Sequence, residues 1–256
     1  MKKTGLLFSA GVVLFLASCK NNDEDAPLIG DVRINGALAG DHIHIEAGEP
    51  VEISIRVTDN ESLGQLKIDI HANDDGHSHE GHEHSGGGIE GEWEVLQVEN
   101  LEGTDQTVTR SFTVPQTVRG PWHLLINVID EAGNESTQRF IELDIDNEII
   151  PLIDVDAING VEPVGEVEIA PGSAIAFTGE VTDNAGLVEV HVEVKLENGT
   201  VIYEMEYDVA GALSFDLATA NFTLPDNQGQ VHGELHIKAK NVNDFTSEAH
   251  IEMHFE

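Results

Sequence analysis

Apolar and polar residues alternate along several short segments of the chain. Segments 51–57, 66–70 and 188–194 carry Val, Ile or Leu at every second position. Because successive side chains of a β-strand point to opposite faces, this pattern predicts strands with one buried and one solvated face. Turn-forming stretches such as EAGEP, TDNES, DEAGN and PDNQG lie between the strands. Roughly seven short strands in each ~110–120 residues indicate immunoglobulin-like β-sandwiches, so we predict an all-β protein.

An internal repeat divides the chain into two copies. The stretch PLIGDVRING at residues 27–36 returns as PLIDVDAING at residues 151–160, an offset of 124 residues. The same offset aligns the VTDN motif that ends at Asn60 with the VTDN motif that ends at Asn184. We therefore predict two tandem immunoglobulin-like domains, at residues 27–147 and 148–256.

The first copy carries an insertion. The stretch SFTVP ending at Pro115 matches NFTLP ending at Pro225, but at an offset of only 110 residues. The additional residues of the first copy fall in the interval that contains HANDDGHSHEGHEHSGGG, residues 71–88. We interpret this histidine-rich stretch as an inserted loop.

The N-terminus resembles a lipoprotein signal. Lys2 and Lys3 precede an apolar run that is too short to span a bilayer, and the run ends in Leu-Ala-Ser-Cys at Cys19, the only cysteine. This resembles a bacterial lipobox, which implies a signal peptide at residues 1–18 and lipidation of Cys19. The acidic tether at 19–26 resembles the surface-export signal of Bacteroidota lipoproteins. We expect an outer-membrane lipoprotein held by its lipid anchor at the cell surface, with periplasmic retention as the alternative.

The charge of the chain excludes one class of partner. The sequence has 12 basic and 48 acidic residues and a formal net charge of -36. Such a field repels nucleic acid and concentrates cations, so we predict no nucleic-acid partner. At 40% hydrophobic residues, the chain still has enough apolar side chains for a folded core.

Imidazole and carboxylate groups concentrate around the inserted loop. Imidazole is a good ligand for zinc, copper and nickel, and carboxylates supplement it. We expect the strands that carry His71 and His123 to be antiparallel neighbours, which would place these two side chains close together. The predicted metal ligands of the first domain are His42, His44, His71, Asp74, Asp75, His77, His79, His82, His84 and His123.

The stretch KIDIHANDDGHSH, residues 67–79, resembles the D-I-H-x-N-x-D-G-H-x-H motif of a Bacteroidota lipoprotein family of unknown function. Membership implies an immunoglobulin-like fold and a surface or periplasmic lipoprotein, and it implies no established activity. The second copy keeps the frame of the motif but lacks its histidines.

The second domain offers another potential metal site. A hairpin centred on Asn243 would place His236 opposite His250 and His232 opposite His254. If the third strand pairs in the usual way, His191 lies beside His236. We therefore predict a row of three imidazoles, His191, His236 and His250, as a second possible site.

The sequence also allows other functions. Calcium is the alternative ion, with candidate ligands at strand ends; turn formation explains the same residue types. These residues are Asp59, Asn60, Glu61, Asp130, Asp183 and Asn184. No catalytic motif such as G-x-S-x-G, H-E-x-x-H or a phosphate-binding glycine loop occurs, so we predict no enzyme.

The predicted function is zinc capture or buffering in the cell envelope, with hand-over to an outer-membrane transporter as one form of it. The competing function is a structural or adhesive surface module.

Overall fold

The computed structural model describes residues 23–72, 89–170, 172–227 and 229–255, and within these ranges the fold is all-β. Two hydrophobic cores form, one from residues between Val32 and Ile145 and one from residues between Ile158 and Phe255. We call these two parts the first and the second sandwich. The described residues include no helix with the length and apolarity needed to cross a bilayer.

The first sandwich has two sheets that face each other across one core. Its described strands are β1 (Leu28–Ile34), β2 (Ala37–Leu38), β3 (His42–Glu46), β4 (Pro50–Thr58), β5 (Leu63–Ala72), β6 (Val95–Asn100), β7 (Asp105–Thr113), β8 (Gly120–Asp130) and β9 (Arg139–Asp146). One sheet has the order β2-β1-β4-β7 and the other β3-β9-β8-β5-β6. Trp122 on β8 and Ile53 on β4 belong to the same buried cluster. The predicted immunoglobulin-like class is confirmed.

The second sandwich repeats this arrangement with longer strands. Its described elements are β10 (Leu152–Ile158), β11 (Val167–Ile169), β12 (Ala174–Ile175), β13 (Phe177–Leu196), β14 (Val201–Asp216), the 3-10 helix η1 (Leu217–Ala220), β15 (Phe222–Thr223), β16 (His232–Asn241) and β17 (Thr246–Phe255). One sheet has the order β10-β13-β16-β17-β11, with β14 also paired to β13, and β12 pairs with β15.

Matching hydrogen bonds bear out the internal repeat. The Asn35 side chain accepts from the Glu52 backbone N–H at 2.8 Å, and Asn159, 124 positions later, accepts from Ala176 at 2.8 Å. Both asparagines have a positive φ, a conformation that asparagine tolerates better than most residues. The two copies therefore share turn geometry as well as sequence.

One difference from the predicted layout is that β13 runs without a break through the position where β4 ends and β5 begins. Its first part pairs with β10 and its last part with β16, while β14 pairs with both parts. Gly186 adopts a φ of 109° where β13 passes close to Gly211, an approach that a side chain at Gly186 would block. The long hairpin of β13 and β14 thus joins what are separate sheets in the first sandwich.

Candidate metal centres

Four polar residues form a row across the outer face of the first sandwich. Strand pairing places His42 opposite Glu142, Glu142 opposite His123, and His123 opposite His71. The rings of His71 and His123 are 5.6 Å apart. The expected closeness of these two histidines is confirmed, and Glu142 is a member of the row that sequence reasoning missed. We refer to these four residues as the histidine row.

The histidine row is more enclosed than the sequence indicated. His123 is only 6% exposed because Phe140 packs edge-on against its ring at 4.6 Å. His71 is half-buried, and its Nδ1 lies 3.0 Å from a carboxylate oxygen of Asp69. Although burial alone would raise the pKa of Asp69, hydrogen bonds with Lys67 and His71 hold it below the usual value. The Asp69 carboxylate therefore accepts a hydrogen bond from Nδ1 of His71 and orients its imidazole ring.

His42 also belongs to a second group, with His44 on β3 and Asp144 on β9. The two histidine rings stack at 5.0 Å, and each has a ring nitrogen 3.6 Å from Asp144 on the parallel neighbour β9. His44 also approaches Asp146 at 3.2 Å. One ligand atom from each of His42, His44 and Asp144 lies within 4.8 Å of the others, which is close enough for a shared ion.

The second sandwich carries a group of ligands built around a buried histidine. His236 on β16 lies opposite His250 on β17, as predicted, and their rings are 4.4 Å apart. Nε2 of His236 lies 3.0 Å from Glu234, and its Nδ1 lies 2.8 Å from Glu248. His236 is 7% exposed. We call Glu234, His236 and His250 the β16–β17 centre.

The acid that supports this centre is ionised. Burial alone would raise the pKa of Glu248, but hydrogen bonds from His236 and Lys238, together with the nearby His250, hold it below its usual value. Glu248 thus accepts from Nδ1 of His236 and leaves Nε2 directed toward Glu234.

The prediction that His191 lies beside His236 is wrong. His191 is opposite Lys238, and Glu193 takes the position opposite His236. The observed register pairs Val190 with Ala239, Val192 with Ile237 and Val194 with Leu235, so apolar residues meet on the buried face. The predicted row of His191, His236 and His250 is therefore broken by two residues, and His191 groups with Glu193 and Glu204 instead.

One further group was not proposed from the sequence. His232 faces His254, as the predicted hairpin requires, and Glu166 approaches their ring nitrogens at 2.7 and 3.7 Å. The repeat identifies Glu166 as the counterpart of His42 and hence as a potential ligand, but the sequence alone does not group it with His232 and His254. The remaining predicted positions lie outside the described residues: Cys19 with the signal segment, and Asp74, Asp75, His77, His79, His82 and His84 in the loop.

Several solved β-structures resemble the chain remotely. Fibronectin(III)-like modules of CbhA from Clostridium thermocellum match at 14% identity, with 88% of this chain and 94% of that chain covered and a TM-score of 0.27. The sialic acid binding region of the SK1 adhesin from Streptococcus sanguinis matches at 12% identity, with 91% and 78% covered and a TM-score of 0.31. Latent PorU from Porphyromonas gingivalis matches at 12% identity and a TM-score of 0.30, with 90% of this chain but only 24% of PorU covered. None of these likenesses bears on what the chain binds.

The sequence itself matches one family. No curated protein matches significantly. The profile described as Domain of unknown function (DUF4625) matches residues 17–146, which include β1 to β9 and the histidine row. The chain therefore belongs to the DUF4625 family.

Proposed function

We propose that this protein is a lipid-anchored protein of the cell envelope that captures or buffers a transition metal, with zinc as the favoured ion. The observation that carries the proposal is the surroundings of His236, a buried imidazole with a carboxylate oxygen at both ring nitrogens and a second imidazole 4.4 Å away. Copper and nickel suit the same donors.

The contacts of His236 call for a positive charge at this imidazole or beside it. A neutral imidazole has one donor and one acceptor nitrogen, so it can donate to Glu248 but not also to Glu234. Either a second proton or a metal ion is needed between Nε2 and Glu234. Two ligands of a tetrahedral zinc ion lie about 3.3 Å apart, close to the 3.0 Å between these atoms.

The roles of the four side chains follow from this geometry. Glu234, His236 and His250 would supply three ligands, while Glu248 would fix the ring of His236 through its Nδ1 proton. Three protein ligands leave the fourth position open to water or to an incoming ligand. Such a centre suits exchange of metal better than permanent structural binding.

The inserted loop is proposed as the second place of capture. It follows β5 directly after Ala72, so it begins beside the histidine row. An outer-membrane transporter would be the recipient of the metal. The anchor at Cys19 would keep the protein at the outer membrane, on its outer face or in the periplasm.

Zinc calorimetry on the untagged full chain tests this proposal. We expect His250→Gln to remove one bound zinc, or to weaken that step about tenfold or more. Deletion of residues 77–84 should remove a different step. His191→Gln is the comparison variant, because it removes an imidazole of the neighbouring His191–Glu193–Glu204 group from the same face and leaves the β16–β17 centre intact. Because metal binds the neutral ring, affinity should fall below pH ~6.5.

The second candidate function is a non-catalytic structural or adhesive module. It is favoured by the tight junction between the sandwiches, where the Arg119 guanidinium donates to the carbonyls of Asn147, Ile150 and Pro151. Absence of zinc heat, or equal loss in His250→Gln and His191→Gln, would leave this function in place of metal capture.

A further inference from the structure

Three carboxylates meet at the end of the first sandwich from which the chain enters. Asp23 precedes β1, Asp59 lies in the turn between β4 and β5, and Asp130 ends β8. One oxygen from each lies within 4.8 Å of the other two. No lysine or arginine in the described ranges forms an ion pair with any of them. We call this group the aspartate cluster.

One oxygen of the cluster is buried without a partner. Oδ1 of Asp59 accepts from the backbone N–H groups of Glu61 and Ser62, both at 2.8 Å. Oδ2 of the same side chain is shielded from solvent and makes no hydrogen bond within the described structure. Burying an oxygen of a charged group with no donor or cation costs free energy, so this atom calls for a partner.

Asp130 adds a second buried charge. It is 4% exposed, and burial alone would raise its pKa. Hydrogen bonds from the Asn134 side chain and from the backbone of Asn134 and Gly133 outweigh burial and hold its pKa below the usual value. Asp130 thus brings a second buried carboxylate to the cluster, oriented by hydrogen bonds from Gly133 and Asn134.

The second sandwich has an amide in the same position. Asn241 ends β16 as Asp130 ends β8, and its Oδ1 accepts from the Asn243 and Phe245 backbones in the same way. Its Nδ2 donates to Oδ2 of Asp183, the repeat counterpart of Asp59, at 2.9 Å. It also donates to the carbonyl of Ile149 in the segment before β10, at 2.9 Å. An amide at the end of β16 thus takes the place that the Asp130 carboxylate has at the end of β8, and it donates to Asp183 where the first sandwich has two carboxylates facing each other.

We propose that Asp23, Asp59 and Asp130 bind a calcium ion, which fastens the segment before β1 to the first sandwich. Calcium prefers six to eight oxygen ligands and accepts carboxylates and amide carbonyls. Nδ2 of Asn60 donates to the carboxylates of Asp23 at 3.0 Å and Asp25 at 3.4 Å, so the Asp25 carboxylate lies close to the cluster as a further oxygen ligand. No imidazole or thiol belongs to the cluster, which favours calcium over zinc. This site is separate from the zinc centres and does not depend on them.

The fastening would act on the part of the chain next to the lipid anchor. Asn134 already holds this segment through its Nδ2, which lies 3.1 Å from the Asp23 carbonyl and 3.4 Å from that of Asp25. A cation bridging Asp23 to Asp59 and Asp130 would add a bond between the segment and two turns. Calcium would then fix the orientation of the first sandwich relative to the segment before β1.

Calcium calorimetry and thermal unfolding of the full chain test the proposal. We expect one calcium ion with a dissociation constant of about 10⁻⁴–10⁻³ M, the range of extracellular modules. The melting temperature should rise with calcium over its value in EDTA. Asp130→Asn should weaken binding about tenfold or more and abolish this rise. It should still fold in EDTA, because it recreates the arrangement of Asn241.

Two further variants keep the outcome decisive. Asp23→Asn changes only the leading segment, so it should weaken calcium binding without disturbing the sandwich. Asp156→Asn, an exposed aspartate on β10, is the matched control and should bind as the wild type does. If calcium binds equally to all variants, the ion is held by the acidic surface at large and the proposed site is overturned. Absence of any calcium-dependent rise in the wild type would overturn it as well.

Discussion

The segments that lead into the two sandwiches occupy matching places but are held by different chemistry. Residues 147–151, before β10, are held by neutral amides and one arginine: Nδ2 of Asn147 donates to the carbonyls of Gln116 and Val118, and Arg119 donates to three carbonyls of the segment. Residues 23–26, before β1, accept hydrogen bonds from the side-chain amides of Asn134 and Asn60, and the Asp23 carboxylate also lies beside Asp59 and Asp130. Three carboxylates thus meet where the chain enters the first sandwich, whereas the entry to the second sandwich is held by hydrogen bonds from neutral amides and one arginine.

The outer faces of the two sandwiches also carry different side chains on matching strands. The histidine row of the first sandwich corresponds to Glu166, Glu252, Glu234 and Lys195 in the second, because β11, β17, β16 and β13 take the places of β3, β9, β8 and β5. Both sets of side chains lie on strands that pair in the same order. The second sandwich thus forms the same strand pairs with carboxylates and a lysine where the first sandwich has the histidine row.

The largest effect is expected from Asn241→Asp in the second sandwich. The substitution keeps the oxygen that accepts from the β16–β17 turn but turns the donor toward Asp183 and Ile149 into an acceptor. Asn241 is fully buried and Asp183 is 6% exposed, so we expect a loss of about 2–4 kcal/mol in the free energy of unfolding, measured by urea denaturation in EDTA.

Asn198→Asp makes the same change at an exposed turn and should cost less than about 0.5 kcal/mol. Added calcium should restore part of the stability lost in Asn241→Asp, since the variant copies the aspartate cluster. Wild-type stability for Asn241→Asp would contradict the assignment of its amide as the group that replaces a cation.

A smaller, pH-dependent effect is expected at Glu90, which contacts Arg119 at 3.4 Å beside the junction. Burial raises the pKa of Glu90 to about 7 despite the attraction of Arg119. A carboxyl group whose pKa is higher in the folded state binds more protons there, so its stabilising contribution is complete below pH ~4.5 and is lost as the pH rises through about 7.

Glu90→Gln should remove this slope, and above pH 7 the variant should exceed the wild type by roughly 1–3 kcal/mol in the free energy of unfolding. Urea denaturation at pH 5, 6, 7 and 8 measures the difference, with the exposed Glu92→Gln as control. A difference that does not change with pH would mean that Glu90 is ionised throughout, and that its ion pair with Arg119, rather than the three carbonyl bonds, secures the junction.

Local periodicity and the repeat were sufficient to predict the fold, because alternating residues such as those of 51–57 report burial directly. The register of the β16–β17 hairpin could be predicted from its turn, and this register places His236 opposite His250. The residue opposite His191 could not be predicted, because β13 and β16 are distant in sequence and their register depends on a bulge between Leu187 and Glu189. The grouping of Asp23 with Asp59 could not be predicted for a similar reason. Asp23 precedes the first strand, where the sequence has no periodic pattern, and only folding brings it close to Asp59.

The smallest effects are expected from exchanging the groups at the edge strands. His42→Glu gives the first sandwich the residue of Glu166, and Glu166→His makes the reverse change. Both positions are exposed, so the free energy of unfolding should change by less than about 0.5 kcal/mol in either variant. Zinc competition against a coloured chelator should show weaker binding for His42→Glu. For Glu166→His, the third imidazole beside His232 and His254 should strengthen binding about tenfold. If neither variant changes zinc binding, the exposed His–carboxylate groups are solvated surface, and capture is confined to the β16–β17 centre and the inserted loop.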